Sequence, residues 1–142
     1  MFTQLVDRVI ALSAAIDRHC TQALIDRHPD VVRNGFIHCP LSYFDDLPPA
    51  PQESELRDLL HGLPWAQLIM LEVIVQFGRD AFDPEADLLD AYGWVSDTCH
   101  RRQDQVDYLL GKQLDCHLTQ GMEILADRRR QIDTLMAGPL QP

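Results

Sequence analysis

The chain has 142 residues, 46% of them hydrophobic and 24% charged, with a net charge of -10. That length accommodates one domain around one core, and that composition excludes a disordered tail. The charge is segregated. Phe44 to Asp97 holds twelve acidic residues against Arg57 and Arg79, whereas the segments on either side each sum to zero. A one-signed potential of this kind selects partners at long range and argues against a phosphate-backbone-binding face in the middle third.

At the amino terminus, the apolar stretch from Val9 to Ile16 has no basic leader and is bracketed by Asp7-Arg8 and Asp17-Arg18, unlike a secretory signal. A soluble cytoplasmic protein with reduced cysteines is expected. Phe2, Leu5, Val9, Leu12, Ile16 and Ala23 recur at three- and four-residue steps. This predicts a long amphipathic helix, ended near Arg27 by Pro29. From Pro29 to Pro51 the period is lost, and Asn34-Gly35, Pro40, Asp45-Asp46 and Pro48 to Pro51 mark turns, so an irregular Pro-rich segment is expected at about 29–52. Gly35 to Cys39 suits a short strand, but has no evident partner.

Glu53 to His61 reads as a second helix stopped by Gly62 as a C′ glycine. Pro64 then opens an apolar run, Trp65 to Phe77, interrupted by Gln67, Glu72 and Gln76. The run falls short of the ~20 residues that span a bilayer. Val73, Ile74 and Val75 would also suit a buried strand, which periodicity does not separate from a helix, but a run of this length without alternation is expected to be a buried central helix. Asp83-Pro84-Glu85 reads as N-cap, N1 and acidic first turn of a helix that buries Leu88, Tyr92, Val95 and Cys99 and ends near Arg101-Arg102. Asp83, Asp87 and Asp90 share its solvent side. Helical pattern resumes at Asp104 and breaks or bends at Gly111. Leu114 to Ala137 then keeps one period through Leu118, Met122, Leu125, Ile132 and Leu135, up to Gly138-Pro139.

Three local patterns stand out: Leu56-Arg57 through Gly62-Leu63, then Phe77-Gly78-Arg79-Asp80, then Asp107-Tyr108-Leu109-Leu110-Gly111 followed by Leu114, Leu118 and Gly121. On these residues the stretch from Leu56 to Leu125 resembles an uncharacterised bacterial domain-of-unknown-function family of small, acidic, cytoplasmic proteins. The resemblance supports a helical fold and brings no activity or ligand. Where the family commonly has Gly-Arg-Gly-Asp this chain has Phe-Gly-Arg-Asp. Where the family tends to have proline it has Gln113, so a helix continuing past Gly111 is expected.

Each cysteine adjoins a histidine: His19-Cys20, His38-Cys39, Cys99-His100 and Cys116-His117. Neighbours on a helix diverge by about 100°, so one dipeptide rarely gives an ion two ligands, and the close Cys and His pairs of zinc sites are absent. No metal ligand or catalytic residue is assigned. Cys39, beside Pro40, is the thiol to test as a nucleophile. Asp80, Asp83, Glu85, Asp87 and Asp90 are hard-cation ligands by type, but their spacing departs from an EF-hand loop and Pro84 stiffens it, so a solvated helix start is the simpler reading. Arg128-Arg129-Arg130 reads as a solvated helix face, and Trp65 and Tyr108 as core. Trp94 lies off the Leu88, Tyr92, Val95 stripe, where it would face a partner.

The expected fold is all-α, a single-domain bundle of five or six helices around a buried central helix. The expected function is that of a small acidic binding protein without catalysis or cofactor. It would recognise a basic protein surface through Asp80, Asp83, Glu85, Asp87, Asp90 and Trp94, one variant being a nucleic-acid-mimicking inhibitor. Self-association into a homodimer is a further expectation, while direct nucleic-acid or membrane binding is not expected. The alternative is a metal-binding protein or metalloenzyme, favoured if at least three Cys and His side chains converge.

Overall fold

The computed structural model describes residues 1–138 other than 34, 39 and 46. The thiol singled out at Cys39, parts of the turns at Asn34 and Asp46, and the stop at Pro139 therefore lie outside the described residues. Helix α1 (Phe2–Arg27) ends where Pro29 was expected to end it, with His28 in a non-helical conformation. Phe2, Val6, Val9, Leu12 and Leu24 form its buried stripe. Leu24, rather than Ala23, takes the last core position.

A 3-10 turn (Pro29–Val31) leads into two antiparallel strands, β1 (Val32–Arg33) and β2 (Phe36–Ile37), in register Val32 to Ile37 and Arg33 to Phe36. The strand expected without a partner is thus paired with the residues just before it. The reversal is permitted by Gly35, whose φ of 79° is a left-handed value that glycine adopts without cost. The rings of His28 and Tyr43 stack at 3.9 Å and pin the far end of this segment to the end of α1.

Helix α2 (Pro51–His61) starts two residues before the expected Glu53 because Pro51 serves as its first residue. Gly62 follows it with φ -84°, a right-handed value, so it is not the left-handed cap anticipated. Instead Arg102 donates from Nη1 to the carbonyls of His61 and Leu63, at 3.2 and 2.7 Å, supplying partners beyond the helix end. Pro64 then caps α3 (Trp65–Gly78), most of whose side chains are buried. The long apolar run is therefore the central helix, packed by α4 (Leu88–Thr98), α5 (Arg102–Leu110) and α6 (Leu114–Ile124).

The tightest packing is between α3 and α6. A Cβ on Gly78 would collide with the carbonyl oxygen of His117, and one on Gly121 with that of Ile74. Two glycines thus let the two backbones touch. The expected continuation past Gly111 does not occur: α5 closes with the Gly111 N–H on Asp107 O at 3.0 Å, and α6 begins only at Leu114. Nor does one helix run from Leu114 to Ala137. It breaks at Leu125 (φ -95°, ψ 17°) into a 3-10 turn (Ala126–Arg128) and α7 (Arg129–Ala137). A straight helix of that length would extend about 36 Å. The bend instead brings α7 against α1, where Ile132 and Met136 are buried.

Seven α-helices are thus present among the described residues, against the five or six expected, and one hydrophobic cluster draws on all of them. The fold is mostly all-α, with the two-stranded ribbon as its β-structure among the described residues. Among the described residues no single helix is long and apolar enough to cross a membrane, and α2 and α3, which reach that length together, are bent by 119°.

Candidate functional site

The acidic residues expected to bind a partner follow α3. Asp80 has φ 61°, a left-handed conformation that aspartate tolerates better than most residues, and the Ala81 N–H turns back onto Gln76 O at 2.9 Å. The chain thereby reverses and brings Phe82 against Phe77, with ring centroids 5.2 Å apart, and edge-on to Trp94 at 5.7 Å. Asp83 does not begin a helix. Its carboxylate accepts the Glu85 N–H at 2.8 Å, and its carbonyl accepts the Ala86 N–H at 2.9 Å. An Asx turn has taken the place of the expected cap.

Asp87 is the N-cap of α4, accepting the Asp90 N–H at 3.1 Å. The helix also ends earlier than expected, at Thr98, so Cys99 lies beyond it in an extended conformation. From the other side Arg128 braces this turn. Its guanidinium lies over the Phe77 ring and donates to the carbonyls of Ala86 and Pro84. Arg128 was expected in a solvated basic face and is instead a structural clamp.

The result is a run of exposed acidic side chains, interrupted by the buried Leu88 and Ala91. Asp80, Asp83, Glu85, Asp87 and Asp90 are all exposed, and none of these five is in an ion pair among the described residues. Trp94, one helical turn after Asp90, is 58% exposed, and Leu89 is 48% exposed. The off-stripe position of Trp94 is therefore a surface position.

Beside Trp94 lies an open cavity of about 510 Å³ whose lining includes Glu72, Gln76, Cys99, Gln105 and Tyr108. Glu72 projects from the apolar central helix and is only 6% exposed. Gln105 Nε2 donates to Glu72 Oε1 at 3.0 Å, and the Cys99 thiol donates to Gln105 Oε1 at 3.0 Å and to Glu72 Oε1 at 3.8 Å. Both bonds to the carboxylate fall on Oε1, while Oε2 accepts none among the described residues. Burial, followed by the neighbouring Glu72, pushes the Cys99 pKa up, so this sulfur is a protonated donor rather than a thiolate. The Tyr108 hydroxyl accepts from Gln76 Nε2 at 2.6 Å and from Arg79 Nη1 at 3.1 Å, while the Lys112 ammonium sits 4.6 Å from the centre of its ring.

No protein-family model, curated protein or solved structure matches this chain. Chemistry must be read from the side chains themselves. Cys20, Cys99 and Cys116 are free, and among the described residues no three His, Cys, Asp or Glu side chains gather where they could hold a metal ion. The convergence required by the metal reading is not present there. A second carboxylate cluster lies between α1, α2 and α6, where a cavity of about 330 Å³ is lined in part by Asp17, Glu53 and Arg57. Partial burial, followed by a hydrogen bond and repulsion from Asp115, raises Asp17 to about 6.

Glu72 and Gln105 were not singled out from the sequence. The signal available was Glu72 itself, a carboxylate in the middle of an apolar run, a setting where charged side chains are rarely buried without a partner.

Proposed function

We propose that this is a non-catalytic, cytoplasmic binding protein whose Asp80 to Trp94 face recognises a basic protein surface. The observation that carries the reading is Trp94, exposed beside five carboxylates that have no cation of their own. Exposed tryptophan is a common anchor of protein interfaces, and a one-signed rim around it speeds encounter with an oppositely charged partner. The family resemblance over Leu56 to Leu125 remains a proposal and names no activity, so the functional reading rests on this face.

The test is capture from a lysate of the source cells by the immobilised chain, by Trp94→Ala and by the triple variant Asp83→Asn, Asp87→Asn, Asp90→Asn. Asparagine can still form the Asx turn and the N-cap, so the triple variant keeps the fold, and Trp94→Ala removes a side chain that is more than half exposed. The expected result is a protein with a basic surface retained by the parent chain and lost from both variants. Identical captures on all three would refute the reading.

A second copy of the chain is the partner we assign to the hairpin. Val32, Phe36 and Ile37 are exposed there, Phe36 by 69%, on a ribbon whose outer strand edges are open among the described residues. Sedimentation equilibrium should give a dimer that Phe36→Ser converts to monomer. A parent chain that is monomeric at high concentration would remove this part of the proposal.

A further inference from the structure

We propose that the cavity beside Trp94 is a pocket for one organic cation, the guanidinium or ammonium group of an arginine or lysine side chain presented by the basic partner. This rests on the reading of the Trp94 face and adds to it the group recognised and the residue at the bottom of the pocket.

Glu72 carries the inference. A carboxylate that is 6% exposed is costly to leave without a counter-charge, and its two hydrogen bonds both go to Oε1. Of the cations on the surrounding elements, Arg101 lines the same cavity but pairs with Asp104 there, and the others are engaged elsewhere. Arg102 is held by the carbonyls of His61 and Leu63, and Arg79 by the Tyr108 hydroxyl. Arg101 Nε lies 3.9 Å from Asp104 in an exposed pair, and Lys112 sits over the Tyr108 ring. None of them bonds to Glu72.

The walls suit the same ligand. Trp94 and Tyr108 border the cavity, and aromatic faces attract alkylammonium and guanidinium groups. A neutral apolar group would leave Glu72 Oε2 without a partner, and an anion would meet a buried negative charge. A hard metal ion needs six or more oxygen ligands, which the lining does not assemble. Trp94, 58% exposed and one helical turn after Asp90, is part of the cavity's lining, so the carboxylates of this face lie near enough to steer a cation toward it.

The experiment is a titration followed by amide and indole nitrogen–proton spectra, with N-acetylarginine amide and N-acetyllysine amide as probes and N-acetylglutamine amide as the neutral control. Saturable shifts are expected at the Trp94 indole and the Gln105 side-chain amide with the arginine or lysine probe, and not with the control. Glu72→Gln keeps an acceptor for Gln105 while removing the charge, and is expected to weaken binding about tenfold or more. Trp94→Ala, at an exposed position that leaves the core intact, is expected to weaken it about fivefold.

Shifts that never saturate, equal shifts with the neutral control, or undiminished binding by Glu72→Gln would overturn the pocket. The probes are too small to engage the outer carboxylates. The triple variant at Asp83, Asp87 and Asp90, which removes only their long-range field, is therefore expected to weaken probe binding less than Glu72→Gln does, with the loss vanishing at high salt. Capture of a basic protein without probe binding would sink the pocket alone. Probe binding without such capture would sink the assignment to a protein partner alone.

Discussion

Asp133 determines how α1 begins, although it lies near the other end of the chain. Its Oδ1 accepts the Thr3 N–H at 2.8 Å and its Oδ2 the Thr3 hydroxyl at 2.9 Å, so a side chain of α7 supplies the cap that the local sequence lacks. Asp133→Ala is expected to cost about 1–2 kcal/mol in urea unfolding, with Asp133→Asn retaining part of it. Asp17 gives a pH signature. Its pKa rises from an ordinary 3.8 to about 6 in the fold, so the folded state holds the proton more tightly than the unfolded chain. The associated stability is complete below about pH 3.8 and is lost as pH rises through about 6. Asp17→Asn removes the repulsion from Asp115. It should therefore melt higher than the parent chain at pH values above Asp17's folded pKa, with the difference shrinking in acid. Thiol reactivity follows from placement. Cys99 is part-buried and protonated whereas Cys116 is exposed, so iodoacetamide at neutral pH should label Cys116 before Cys99. Preferential labelling of Cys99 would contradict its role as a hydrogen-bond donor.

The α3 and α6 crossing sets the spacing of the core. Gly78 and Gly121 each lie where a Cβ would meet the backbone of the opposite helix, and backbone cannot move aside as a side chain can. Gly121→Ala is expected to destabilise by about 3 kcal/mol. Gly93 on α4 is the contrast, because a Cβ there meets nothing within 4 Å. Gly93→Ala should stabilise by up to about 1 kcal/mol through helix propensity, as read from thermal unfolding. The elements legible in the sequence were those whose ends are written locally, Pro29 after α1 and Pro64 before α3; at Gly111 the break read from the residues is present, and the continuation implied by the resemblance is not. The start of α4 was misplaced because Asp83 and Asp87 are both capping residues. The pairing of Phe82 with Phe77 and the clamp of Arg128 accompany the turn form of the first. The break at Leu125 has no local marker, since the apolar period continues through it. It becomes intelligible only from the room available beside α1.

At the scale of the whole molecule, the charge segregation seen in the sequence becomes a surface with a tryptophan in it. The five carboxylates and Trp94 could be named beforehand because net charge and an off-stripe aromatic are both visible in one dimension. Glu72, Gln105 and Cys99 could not be joined in advance. They come from α3, α5 and the link before α5, and only the packing of α5 on α3 brings them together. The alternation of arginine and glycine in a short peptide presents guanidinium groups without a folded partner, which makes it the most direct probe of the account. Its calorimetric titration into the chain, at low and high salt and again with Trp94→Ala, tests the central claim. The account predicts saturable binding that weakens as salt screens the acidic face and weakens about fivefold or more with Trp94→Ala. Absence of binding, or binding indifferent to both salt and Trp94, would contradict it.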